Sequence, residues 1–163
     1  MRHAKSSWDD PSLRDHDRPL NSRGLREAAN MAKWLADQNL RPVQIFCSTA
    51  LRTRQTAEPL LKIFGLPEEF ITWRDELYFS GDDAYLQAIH SAAGSSELIF
   101  LIGHNPMTES VINLLSSQPI RQPIKTATAA LLNTNTKEWS EVGPGSCSLD
   151  AIITPQDFHK PNR

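Results

Sequence analysis

Between residues 22 and 39, Leu25, Ala28, Ala29, Ala32 and Leu35 recur at steps of three and four, the stripe of an amphipathic helix turned toward a core. Asn21 stands ahead of it as the predicted N-cap. Pro42 ends the link, and the apolar run VQIFCS predicts a buried strand over 43–48. Thr49 to Phe64 predicts a second helix through Leu51, Ala57, Leu60, Leu61 and Phe64, with a kink or weak turn at Pro59. FGLP breaks it, EFITWRDEL predicts a strand running into a loop, and DDAYLQAIHSAAG predicts a third amphipathic helix. ELIFLIGHN contains the clearest strand, uncharged from Leu98 to Gly103 and suited to a central parallel position. Asn105 and Pro106 predict the cap and first turn of a further helix, whose buried side is Val111, Ile112, Leu114 and Leu115. After Pro123, TATAALLNT, EWSEV and SLDAIIT alternate enough for strands, while the proline-marked, aperiodic residues 9–21 predict a long surface loop. The alternation of strands and helices predicts one three-layer α/β/α domain with a mostly parallel central sheet. It spans 1–163, with a polar tail from about 156.

Composition narrows the function classes. The chain has 163 residues, 39% of them hydrophobic and 22% charged, enough for one real core. A formal charge of −2 and four dispersed tryptophans speak against a nucleic-acid surface, so no nucleic-acid partner is expected. No stretch approaches the roughly 20 apolar residues of a membrane span, so no membrane partner is expected either. Cys47 and Cys147 form no CxxC pair, no apolar leader is expected, and a reducing cytoplasm is the expected compartment. No histidine or cysteine cluster has metal-ligand spacing, and neither a metal nor a cofactor is expected.

Candidate chemistry gathers at strand ends. In open α/β sheets, ligands bind outside the carboxyl ends of the strands. The strand at 43–47 exits into STALRTRQTA, which puts Arg52 in the first turn of a helix, and the strand at 98–102 exits into GHNP, which puts His104 just before another. Helix starts add free N–H groups and a positive dipole end, so an anion is welcome there. Taken singly, a histidine after a strand is more often hydrogen-bonded structure, and an arginine in a first turn is usually solvated. Joined by Arg2 and His3, the set becomes two guanidiniums and two imidazoles, a complement for a phosphoryl group.

The segments RHAKSSW, DHDRPLNSRG, STALRTRQTAE, DELY and GHNP occur in one order from end to end. In this the chain resembles the histidine phosphatase superfamily, also called phosphoglycerate mutase-like, and within it the short SixA-type phosphohistidine phosphatases. The resemblance implies His3 as nucleophile, Arg2 and Arg52 as phosphate clamps, and His104 as the second pocket histidine. It implies Glu76, through a looser match, as a proton donor. Ser6 and first-loop N–H groups are expected to complete the phosphate cradle, His16 is expected at the surface, and Arg18 is expected to pair with Asp15 or Asp17.

A phosphoryl group needs an in-line nucleophile and stabilised equatorial oxygens, and an imidazole can supply the first through a covalent phosphohistidine intermediate. It must be neutral to attack, and the neighbouring arginines are expected to lower the pKa of His3. The leaving group decides how much a general acid matters. A phosphomonoester expels an alkoxide that benefits from protonation, whereas a phosphohistidine expels the better-leaving imidazole. A short chain with little to build a lid favours a phosphorylated protein as partner, a histidine-phosphotransfer domain among the candidates, and a role in signal transduction. The alternatives are a phosphomonoesterase for a small phosphorylated substrate and a phosphate-binding module with impaired catalysis.

Two departures from the pattern carry expectations. That family places an apolar strand directly before its Arg-His pair, and here only Met1 precedes it. The first strand of the fold is therefore expected to be missing, its place lying between the strands 43–47 and 98–102, with this start internal to a longer natural chain. In TATAALL, where the SixA-type branch carries Thr-Ser-Gly, Thr126 and Thr128 keep hydroxyls but the glycine's backbone freedom is gone.

Overall fold

The computed structural model describes residues 1–159. Its elements follow in the order α1 (Ser22–Asp37), β1 (Gln44–Ser48), α2 (Leu51–Phe64), β2 (Ile71–Arg74), α3 (Glu76–Phe79), α4 (Asp82–His90), β3 (Ile99–Ile102), α5 (Met107–Leu115), β4 (Ala129–Thr134) and β5 (Cys147–Ile153). β1 pairs in parallel with β2 on one side and β3 on the other, giving the order β2-β1-β3, and β4 pairs antiparallel with β5. The period-two alternation of β1 separates two cores. Ile45 and Cys47 pack with Met31, Ala32 and Leu35 of α1 and with Ala57 and Leu60 of α2. Phe46 turns to the opposite side, onto Leu77, Tyr85, Ala88, Val111 and Leu115. Helices thus cover both faces, as the three-layer prediction requires.

The N-terminal residues join the two sheets. Gly103 N–H donates to the Met1 carbonyl at 3.1 Å, and His3 N–H donates to the Gly103 carbonyl at 3.0 Å. On their other side Arg2 N–H donates to Thr128 and the His3 carbonyl accepts from Ala127, each at 3.0 Å. Beyond Met1 the edges of β3 and β4 face a cavity of about 310 Å³, lined by Met1, Phe100, Leu101, Ala130, Leu132 and Trp139 among others. The expected position of the short first strand is corrected here: strands 43–47 and 98–102 pair directly, and residues 1–3 run along the far edge of β3.

Several local expectations change for identifiable reasons. Asn21 caps α1 by accepting from Gly24 N–H at 2.8 Å, as its side chain predicts. The buried stripe of α1, however, runs through Gly24, Ala28, Met31, Ala32 and Leu35, and Leu25 is 48% exposed. Gly24 sits against the Lys5 carbonyl so closely that a Cβ would lie 2.1 Å from its oxygen, which turns that face inward. α2 continues through Pro59 to Phe64. Asn105 does not cap α5; its amide donates instead to the Ile124 carbonyl and to Glu109. EWSEV is not a strand: Trp139–Glu141 form a 3₁₀ turn, anchored by the Trp139 indole N–H on the Ser96 carbonyl at 2.9 Å. The polar tail begins later than expected, because Phe158 packs on the core of α1 and α2; residues 160–163 lie outside the described residues.

Candidate active site

Arg2 and His3 leave the strand-like N-terminal segment beside Gly103, the last residue before His104. The His3 and His104 ring centroids stand 5.1 Å apart. β1 ends at Ser48, and the tight link to α2 places Arg52 one turn later, buried at 5% exposure. Thr56 locks these pieces together: its hydroxyl accepts from Ala4 N–H at 3.0 Å and donates to the Arg52 carbonyl at 2.6 Å. Gly103 has no alternative here, since a Cβ would lie 1.8 Å from the Tyr85 hydroxyl. That hydroxyl accepts the His104 N–H at 3.1 Å and so sets the start of the histidine loop.

Hydrogen bonding decides which nitrogen of His3 can react. Nδ1 lies 2.7 Å from the Ala4 carbonyl, which can only accept, so Nδ1 carries the proton and Nε2 presents a lone pair. The Ala4 bond thereby orients the ring as well as choosing its tautomer. His104 Nε2 meets the Ser48 hydroxyl at 2.9 Å, while its buried Nδ1 has no partner among the described residues.

Burial is the main reason the pKa of His3 falls to about 4, and the charges of Arg52, Arg2 and Arg18 push the same way against the Ala4 bond. The sequence argument named the arginines; the structure makes desolvation the larger cause. His104 falls to about 3, again chiefly through burial, then through His3 and Arg52. Both imidazoles are therefore neutral near pH 7.

A histidine whose folded pKa lies below its unfolded value of roughly 6.5 binds fewer protons folded than unfolded in the interval between them. Folding stability then rises with pH across that interval. As pH falls from roughly 6.5, stability is lost down to about 4 for His3 and about 3 for His104. The same shift keeps the His3 lone pair free in mild acid. The acid limb of kcat/KM, corrected for substrate ionisation, is expected near pH 4. A limb near roughly pH 6.5 in a constant-ionic-strength profile would contradict this.

Around the imidazoles Arg52 and Arg18 are held by Asp15, which the sequence offered only as one of two partners for Arg18. Arg52 donates through Nη2 to Asp15 Oδ2 at 2.9 Å and through Nη1 to the Asp15 carbonyl. Arg18 donates to Asp15 Oδ1 at 2.8 Å, and the Tyr78 hydroxyl donates to Oδ2 at 2.7 Å. Burial raises the Asp15 pKa, but the hydrogen bonds from Tyr78 and Arg18 and the Arg52 charge outweigh it and leave the value about 2. Arg18 pairs with Asp15, one of its two expected partners, and also reaches Ser6 Oγ at 2.8 Å. Ser6, expected in the phosphate cradle, is thus engaged in supporting Arg18. Arg2 donates to the Ile124 carbonyl at 2.8 Å, and its buried Nε has no partner among the described residues.

Glu76 is not brought into this cluster. It opens α3 as an exposed residue, whereas Tyr78 sets its ring 5.2 Å from His104 and 5.1 Å from His16. His16 stays part-exposed and borders the pocket, as the polar loop also allowed, its Nε2 lying 3.0 Å from the Thr49 hydroxyl. Asp15 and Tyr78 each had a signal: Asp15 lies in the DHDRPLNSRG motif, and Tyr78 closes DELY. Among the described residues no group of three or more metal-ligating side chains converges.

Two neutral imidazoles and buried guanidiniums at the carboxyl ends of a parallel sheet form a complement for a phosphoryl group. Comparison with known proteins agrees. Residues 1–77 match the histidine phosphatase superfamily (branch 1). An uncharacterized chloroplastic protein of Arabidopsis thaliana is 36% identical over 95% of this chain and 76% of its own length. An uncharacterized protein of Mycobacterium tuberculosis (strain H37Rv) is 31% identical over 96% of this chain and all of its own. Among solved structures, a SixA chain of Nakamurella multipartitia superposes with a TM-score of 0.80 at 28% identity, covering 95% of this chain and 93% of its own. The protein histidine phosphatase SixA complexed with tungstate gives a TM-score of 0.79 at 25% identity over 97% and 96%. The chain belongs to the histidine phosphatase superfamily, and it is a hydrolase of the phosphatase class. No helix among the described residues is long and apolar enough to cross a membrane.

Proposed function

We propose that the protein removes phosphate from protein phosphohistidine, with His3 carrying the phosphoryl group between two half-reactions. The observation that carries this reading is the His3 tautomer: the Ala4 carbonyl takes the Nδ1 proton and leaves Nε2 free beside buried cations. In the first half, Nε2 bonds to phosphorus as the substrate's P–N bond breaks, and the bonding electron pair leaves with the substrate imidazole. In the second, water attacks the phosphorus of phospho-His3, inorganic phosphate departs, and Nε2 recovers its lone pair. Arg52 and Arg2 neutralise equatorial oxygens, and His104 Nδ1–H donates to one of them.

What surrounds the phosphate seat supports this substrate class. Glu76 is exposed at the start of α3, whereas the groups bordering the imidazoles are Tyr78, His16 and the ionised Asp15. None is a carboxylic acid ready to protonate an alkoxide at neutral pH, which disfavours simple esters more than an imidazole leaving group. Likeness to a protein histidine phosphatase that binds tungstate, an oxyanion of phosphate-like shape, supports the same reading. A histidine-phosphotransfer domain is a fitting protein partner.

The test compares a phosphohistidine peptide with p-nitrophenyl phosphate on the wild type and on Glu76→Gln. The peptide is expected to be the better substrate by kcat/KM, and Glu76→Gln to leave both rates within about twofold, the scale of an ordinary surface substitution. Preference for the ester, together with its selective loss in Glu76→Gln, would instead mark a phosphomonoesterase with Glu76 as acid.

A further inference from the structure

Asp15 stands among the cations of the pocket with unspent capacity. Oδ2 accepts from Arg52 at 2.9 Å and from the Tyr78 hydroxyl at 2.7 Å, whereas Oδ1 accepts from Arg18 at 2.8 Å. A carboxylate oxygen has about two lone-pair directions, so Oδ1 retains one. The side chain is 51% exposed, which leaves it reachable by a substrate. Beside it lies an aromatic wall: the Tyr78 ring, edge-on to His16 at 5.1 Å and to His104 at 5.2 Å.

A fixed anion beside a cationic phosphate seat has opposite consequences for two kinds of substrate. An ester whose leaving group departs as an oxyanion meets repulsion as charge develops. A phosphoimidazole departs well only when its other ring nitrogen is protonated, so its leaving group enters as an imidazolium. We propose that Asp15, backed by the Tyr78 ring, forms a leaving-group subsite that accepts the distal N–H of a substrate imidazolium and selects phosphorus–nitrogen over phosphorus–oxygen bonds. This deepens the phosphohistidine reading and rests on it.

In the step so described, the ring arrives protonated at its distal nitrogen and that N–H donates to Oδ1. The P–N electron pair collapses onto the departing nitrogen as His3 Nε2 bonds to phosphorus. The ring leaves as neutral imidazole with its distal proton retained, so no proton is lost to or taken from Asp15. The carboxylate raises the fraction of bound substrate in its protonated, reactive form, and the Tyr78 face accommodates the cation.

The test is Asp15→Asn, read as the ratio of kcat/KM for a phosphohistidine peptide to that for p-nitrophenyl phosphate. Loss of Arg52 and Arg18 positioning slows both substrates and cancels in the ratio, which a merely structural role would leave unchanged. The ratio is expected to fall at least ~10-fold, the scale of a lost charge-assisted hydrogen bond. An equal loss for both substrates overturns the subsite and leaves the phosphohistidine reading standing. A wild type inactive on the peptide but active on the ester overturns that reading first. Should Asp15→Asn fail to fold by circular dichroism, the wild type is given aryl phosphates with an aminomethyl or a carboxyl group at the para position. Faster turnover of the cationic ester supports the subsite, and equal turnover or the reverse overturns it.

Discussion

Alanine in place of His3 is expected to lower phosphatase activity by ~10⁴-fold or more, since nucleophile removal leaves only binding and electrostatic assistance. The second readout is label. With radioactive phosphate substrate and a rapid alkaline quench, the wild type is expected to carry acid-labile label on His3, and His3→Ala to carry none. The ring is 8% exposed, and its removal leaves the backbone bonds of residue 3 to Gly103 and Ala127 in place, so folding is expected to survive. Undiminished turnover in the alanine variant would end the covalent mechanism. Label retained on another residue would move the nucleophile elsewhere.

Arg52→Ala is expected to cost ~10²–10³ in kcat, the scale of one lost oxyanion donor at a preorganised site. Here the guanidinium has two tasks. It grips the Asp15 carbonyl and carboxylate together, which ties the 9–21 loop to α2, and a guanidinium's five N–H groups leave donors over for phosphate. Arg52→Lys is therefore expected to recover little, because an ammonium offers no planar fork for both tasks. The measurement is kcat and KM for the phosphohistidine peptide across wild type, Arg52→Lys and Arg52→Ala. Recovery by lysine to within threefold of the wild type would show that only charge, and not the fork, is required.

Much of the site was legible because its residues lie at punctuation marks of the chain. GHNP follows the clearest apolar run, and STALRTRQTA follows the next, so strand ends and helix starts placed His104 and Arg52 on one edge before any coordinates. Ser6 and Glu76 fared differently. The Ser6 oxygen accepts from Arg18, twelve residues on, a partner remote in sequence, and its own O–H remains to donate. Glu76 shares a motif with Tyr78, and it is the Tyr78 ring that packs against His104 while Glu76 is exposed. Asp15 entered only as one of two partners expected for Arg18, because a polar loop without periodicity says nothing about where its carboxylates fold. The TATAALL departure has a backbone consequence: Ala127 adopts φ 58°, a left-handed conformation that costs a non-glycine residue roughly 1–2 kcal/mol, while donating its N–H to His3.

Periodicity and strand-end chemistry by themselves determined the three-layer class, most helices and the placing of Arg52 and His104 at one edge of the sheet, because burial and helix starts are local consequences of residue order. Tertiary structure alone decided the tautomer of His3, the neutrality of His104, the grip of Asp15 on two arginines and the placing of residues 1–3 between β3 and β4. Those depend on distances between groups remote in sequence, and on desolvation, which no spacing along the chain encodes.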